Sequence, residues 1–199
     1  MNLKRLILAG SVALAVALPV AAAPGAAAPD FAIADTTGKS VKLSDYRGKF
    51  VVLEWTNPEC PFVRKHYSSH NMQGLQKEWG AKDVVWLTIN STNASHREYK
   101  TPDEMASWMR AQDASPRATL IDGTSATARA YVAKNTPHMF VIDPMGKVIY
   151  DGAIDDKRST NPADVKGANN YVRAALTEAT AGKPVTIAST VPYGCTMKY

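Results

Sequence analysis

The 199-residue chain predicts one α/β domain behind a short targeting segment. Short apolar runs rich in β-branched residues alternate with stretches of helical periodicity, and no repeat or low-complexity linker interrupts them. About 175 residues remain once the leader is set aside, enough for a single domain with its own core.

Residues 1–23 read as a secretory signal. Lys4 and Arg5 precede an uncharged run over 6–20, and Ala21-Ala22-Ala23 supplies small residues for cleavage near Ala22 or Ala23. The run falls short of the ~18–20 apolar residues that span a bilayer. No cysteine follows it to carry a lipid. An exported protein, periplasmic or secreted, is expected, with a domain over 24–199 and no membrane partner after cleavage.

The domain's elements follow in order. Residues 50–55 and 83–89 are nearly continuous in apolar character, as buried parallel strands are. Between them a helix is expected over 61–79, with Pro61 in its first turn and Val63, Tyr67, Leu75 and Trp79 on one face. Thr101-Pro102-Asp103-Glu104 is a capping box that opens a helix through Met105, Trp108 and Met109. A strand over 118–121 and a helix over 125–134 come next. Residues 138–142 and 147–150, joined by Asp143-Pro144-Met145-Gly146, read as a hairpin, and Asn161-Pro162 starts a last helix reaching about residue 181. Trp86, Trp108 and Tyr171 have core spacings and need no cofactor.

Composition narrows the function. The formal net charge is +5, and about +3 without Lys4 and Arg5, too small and scattered for a nucleic-acid partner. Two cysteines, Cys60 and Cys195, are too few for a stapled scaffold. Cys60 sits where an apolar strand gives way to a helix, and at such a turn the helix dipole lowers a thiol pKa from ~8.5 toward ~3.5–7.5. A thiolate there attacks a peroxide O–O bond, giving a sulfenic acid, or a disulfide sulfur, giving a mixed disulfide. Either product needs resolving, and Cys195 is the internal candidate. Redox pairing, a permanent bridge and two independent thiols all remain open. The chemistry requires the Cys60 sulfur to be reachable.

Arg64 falls on the helix face of Cys60, where a guanidinium would stabilise a thiolate; solvated charge is the competing reading for it and for Lys65. His66 is expected to face away from the sulfur. His66 and His70 have the i, i+4 spacing of metal ligands, but Tyr67 stands where His-Glu-x-x-His needs its base, so a surface pair is expected and no metal. Asp143, Asp151, Asp155 and Asp156 are assigned to turn chemistry and solvation. Glycine-rich phosphate loops and G-x-S-x-G elbows are missing from the sequence.

Pro29-Asp30-Phe31, the 37–49 segment Thr-Gly-Lys-Ser-Val-Lys-Leu-Ser-Asp-Tyr-Arg-Gly-Lys, the strand into Cys60, Thr136-Pro137, and Asp143-Pro144-Met145-Gly146-Lys147 resemble the alkyl hydroperoxide reductase and thiol-specific antioxidant superfamily. Residues 57–67 and the ending Gly194-Cys195-Thr196-Met197-Lys198-Tyr199 are similar to a less characterised peroxiredoxin-like branch. The resemblance covers about 28–182 and implies a thioredoxin-like fold, a central mixed sheet flanked by helices. It makes Cys60 the counterpart of the peroxidatic cysteine and of the first cysteine in C-x-x-C, with Val63 in place of the second. Leu53 and Asn57 stand where peroxiredoxins carry proline and threonine, and Thr56 lies one position away. Thr136-Pro137 matches the cis-proline site, where extended backbone lies beside the sulfur and pairs with substrate. The function implied is a thiol oxidoreductase, peroxiredoxin-like, reducing peroxides through Cys60 with Cys195 as candidate resolving cysteine. Thr56, Arg64, Thr136 and Pro137 lie on the substrate side, an external thiol is the reductant, and no cofactor is involved. The alternatives are disulfide exchange with a partner protein, or a non-catalytic module binding a client or a metal, for which His138 is the only later histidine near the turn.

Overall fold

Two strands with no solvated face seed the sheet. In the computed structural model, which describes residues 22–199, Val51–Trp55 (β3) lies parallel to Val85–Asn90 (β4), and all eleven residues are buried. The targeting segment, apart from Ala22 and Ala23, lies outside the described residues. Ahead of β3, Ala32–Ala34 (β1) and Ser40–Lys42 (β2) form a small antiparallel hairpin. Ala118–Ile121 (β5) pairs parallel with β4; His138–Ile142 (β7) pairs antiparallel with β3, and Val148–Gly152 (β8) antiparallel with β7. The sheet runs β5-β4-β3-β7-β8 and is mixed, as expected. Among the described residues no helix is long and apolar enough to cross a membrane.

Alternation along β3 explains its unbroken apolar run. Val51, Leu53 and Trp55 pack on one side with Leu87, Ile89, Tyr131 and Phe140; Val52 packs on the other with Val63, Tyr67, Leu75 and Trp79. The expected helix over 61–79 is two helices, Pro61–Ser68 (α1) and Asn71–Gly80 (α2). His70 breaks it by turning left-handed, φ 57°, a conformation histidine tolerates better than most residues. All four residues of the expected face are nonetheless buried.

Further along, the capping box forms with both arms: Glu104 N donates to Thr101 Oγ1 at 3.3 Å, and Thr101 N to Glu104 Oε2 at 2.7 Å, opening Pro102–Ala111 (α3). The helix expected over 125–134 spans only Ala126–Ala130 (α4). Val132 at φ 52° ends it, and Ala133 N reaches back to Ala128 O at 2.9 Å. Pro162 opens a 3-10 turn, Pro162–Gly167, rather than a long helix; Tyr171–Thr180 (α5) starts separately, with Asn170 Oδ1 accepting from Arg173 N.

Glu54 places a carboxyl group in the middle of this core. Its Oε1 accepts from the Tyr67 hydroxyl at 2.7 Å, and its Oε2 from Trp86 Nε1 at 2.8 Å, Thr88 Oγ1 at 3.0 Å and Gln76 Nε2 at 3.4 Å. Burial raises its pKa to about 7, against the lowering effect of those donors. The shared carboxyl joins β3 and β4 to α1 and α2.

The C-terminal segment closes the fold as a strap. Cys195–Thr196 (β9) pairs antiparallel with Asn135–Thr136 (β6), Thr136 opposite Cys195. Met197 N donates to Lys134 O at 3.1 Å and Asn93 N to Lys198 O at 2.8 Å. Gly194 makes the approach possible: its φ is +138°, and a Cβ there would lie 2.0 Å from Thr136 O.

Two outcomes are expected. Because the fold holds a proton on Glu54 that the unfolded chain releases above its ordinary value near 4.5, Glu54 contributes stability below that pH and loses it as pH rises through about 7. Across that window the loss amounts to roughly 3 kcal/mol. Denaturant unfolding at a series of pH values should show this decline in the wild type and not in Glu54→Gln; parallel curves would contradict it. Gly194→Ala should detach β9, so that hydrogen exchange at the Cys195 and Met197 amides accelerates while β3 and β4 stay protected. Unchanged exchange would show that the strap tolerates a Cβ.

Candidate functional site: two thiols beside the cis-proline strand

Asn57-Pro58-Glu59-Cys60 delivers the thiol from the end of β3 to the start of α1. The Asn57 side chain accepts from Glu59 N at 2.8 Å, and Cys60 N donates to Asn57 O at 3.0 Å, a self-contained turn. Cys60 is the N-cap residue of α1, with Pro61 as its first helical residue, so the thiol lies at the positive end of the helix. Its Sγ donates to Thr136 O at 3.0 Å. Thr136-Pro137 is cis, and one residue further His138 pairs with Trp55 across the sheet.

Cys195, on β9, is paired with Thr136 and packs against the cluster that contains Cys60. Both are free thiols. Burial pushes the Cys195 thiol up to about 12, and the neighbouring Cys60 sulfur adds to the shift. The expectation of a reachable Cys60 is not met in this conformation: Cys60 is 1% exposed, and Cys195 is the more accessible of the two. The strap accounts for this, since β9 lies along the strand to which the Cys60 sulfur is bonded.

The other expected residues divide. Thr56 and Thr136 are buried, and neither hydroxyl has a hydrogen-bond partner among the described residues. Arg64 is turned away from the sulfur: its Nε donates to Pro58 O at 2.7 Å and its NH2 group pairs with Glu59 at 2.6 Å. Lys100 also pairs with Glu59, at 2.9 Å, and Lys100 and then Arg64 hold that carboxyl below its ordinary range. These residues line a cleft of about 410 Å³ beside the turn, with Pro58 and Trp108 as its apolar walls. Asn57 donates to Glu98 Oε2 at 2.9 Å, so its side chain serves the turn and its neighbour.

Three surface assignments are corrected. Lys65 is buried, 1% exposed, with Nζ donating to Lys157 O at 2.6 Å and lying 3.7 Å from Asp155. Asp155, assigned to a solvated loop, is 2% exposed. His66 is buried as well, bonded at Nε2 to Tyr193 and at Nδ1 to Asn71, so only His70 of the pair is a surface histidine. The physical reason is shared: the strap brings Tyr193 over this face of α1 and covers side chains that would otherwise meet water. Sequence spacing carries no sign of that cover beyond the Tyr193-Gly194-Cys195 string itself.

His138 does not suit a metal, because Lys134 N donates to its Nδ1 at 3.1 Å and its Nε2 donates to Asp151 at 2.7 Å. Among the described residues no group of three His, Cys, Asp or Glu side chains could hold a metal ion.

The chain is 38% identical over 135 residues to the thiol-disulfide oxidoreductase ResA of Geobacillus thermodenitrificans, covering 64% of this chain and 68% of that one. Alignments to such curated relatives span about two thirds of their length. An uncharacterised conserved protein from Geobacillus kaustophilus superposes with a TM-score of 0.78 at 28% identity, covering 89% of this chain and 93% of that one. The exposed lipoprotein thioredoxin Etrx1 of Streptococcus pneumoniae superposes with a TM-score of 0.51 at 25% identity, over 62% of this chain and 87% of that one. The fold is thioredoxin-like. A model of the AhpC/TSA family matches residues 24–151, which take in β3, the Cys60 turn and the cis-proline strand, and the chain belongs to that family.

Proposed function

We propose that the protein is an exported thiol-disulfide oxidoreductase in which Cys60 and Cys195 form the redox pair. The observation that carries this reading is the placement of Cys195 beside Cys60, on the strand that pairs with Thr136. Val63 occupies the position of a second C-x-x-C thiol, and the strap supplies a substitute from the other end of the chain. The likeness to ResA supports the reaction class, and the leader-like residues 1–23 support export.

In the reducing direction, Cys60 attacks one sulfur of a protein disulfide as a thiolate, the substrate S–S bond breaks, and the first substrate sulfur leaves and takes up a proton. Cys195 then gives up its proton and attacks the Cys60 sulfur of the mixed disulfide. The second substrate thiol departs, and a Cys60–Cys195 disulfide remains. Two electrons have passed to the substrate, and an external thiol restores the pair. Substrate reaches Cys60 when β9 moves away from β6. Pro137 and the Thr136 carbonyl form the strand edge along which an extended substrate lies.

Peroxide reduction, the activity implied first by the family resemblance, has weaker support. Asn57, where peroxiredoxins carry threonine, spends its side chain on the turn and on Glu98, and Leu53 packs in the core.

Turnover separates the two activities. The wild type should reduce insulin disulfides in the presence of dithiothreitol above the uncatalysed rate, Cys60→Ser should abolish that gain, and peroxide consumption should stay near background. Rapid peroxide consumption without disulfide turnover would overturn the proposal.

A further inference from the structure

The geometry points to Tyr193 as a positioning residue that sets how closely Cys195 is presented to Cys60, an inference that rests on the thiol-pair reading above. Its hydroxyl is the meeting point of three elements. It donates to Asp155 Oδ1, on the loop after β8. It accepts from His66 Nε2 at 3.2 Å and from Lys65 Nζ at 3.4 Å, both on α1. The third element is the strap itself, on which Tyr193 lies two residues before Cys195.

Those partners fix a direction as well as a tether. Asn71 Nδ2 donates to His66 Nδ1 at 2.9 Å, which leaves the His66 proton on Nε2, aimed at Tyr193. Burial, with Lys65 nearby, drops the His66 pKa to about 3, so the ring stays neutral and keeps that tautomer at working pH. Lys65 is anchored by Lys157 O, and the Tyr193 ring stands edge-on to Phe62 with centroids 5.8 Å apart. Asp155 also accepts from Lys157 N at 3.0 Å.

Cys60 caps α1, and Lys65 and His66 lie on the next turns of that helix. The hydroxyl therefore ties the strap to the helix that carries the other sulfur. Gly194 follows, its carbonyl held by Asn135 Nδ2 at 3.1 Å, and Cys195 comes next in register with Thr136. A buried lysine-aspartate pair is poor value as a stabiliser, because its desolvation offsets its attraction and apolar packing does as well or better. Fixing register is the better attested use of such a pair, and here the register fixed is that of Cys195.

The test is the equilibrium between the Cys60–Cys195 disulfide and glutathione, read by acid quench and mass spectrometry of the full-length protein. Tyr193→Phe keeps the ring and removes the hydroxyl. It should lower the oxidation equilibrium constant about tenfold, a potential about 30 mV more oxidising. His66→Leu removes one arm and should shift it in the same direction by a smaller factor, which keeps the comparison available if Tyr193→Phe does not fold. A constant equal to wild type in the folded variants, even with a lowered melting temperature, would make the cluster structural only and overturn the inference. A wild type that forms no internal disulfide in any glutathione buffer would instead overturn the thiol-pair reading.

Discussion

The pairing of Thr136 with Cys195 is the constraint on which the site depends. Thr136 O accepts from the Cys60 sulfur, and Thr136 itself pairs with Cys195 between β6 and β9. One short stretch of backbone therefore accepts from the sulfur of Cys60 and pairs with the strand that carries Cys195. Without that pairing Cys60 would be a lone thiol at a helix start, and Cys195 a thiol on a tail.

The rest of the fold fixes the two partners of this pairing. β3 places the Cys60 turn and β7 follows the cis-proline, and their antiparallel register, Trp55 opposite His138, sets one against the other. Beneath them Glu54 joins β3 and β4 to both helices of the Cys60 side through four donors. At the outer edge, Tyr193 and Met197 grip the strap on either side of Cys195, the first through a buried polar cluster and the second through apolar packing. Burial of Cys60 follows from this arrangement. The strap that carries the second thiol also lies along the strand that binds the first, so in the proposed reaction access to Cys60 and its resolution are coupled through one segment.

Much of the fold was legible in the sequence because both faces of the central strands are covered, which makes 50–55 and 83–89 apolar throughout. The capping box at Thr101 and the turn at 143–146 are local signals and appear where local chemistry puts them. His70 and Val132 were not legible, because left-handed backbone at a non-glycine residue is imposed by packing rather than propensity. At the site, the Cys60 turn and Thr136-Pro137 could be read from residue type and order. Lys65, His66 and Asp155 could not, because their burial depends on a strap more than thirty residues away from any of them in the chain. Glu54 did leave a trace: a charge inside Val51-Val52-Leu53-Glu54-Trp55 requires buried partners.

Non-reducing peptide mapping of the native protein after one equivalent of glutathione disulfide tests the central claim most directly. A single peptide linking Cys60 to Cys195, reversed by mild dithiol, is the result expected from thiols held side by side. Separate glutathione adducts on the two cysteines, with no peptide joining them, would contradict it.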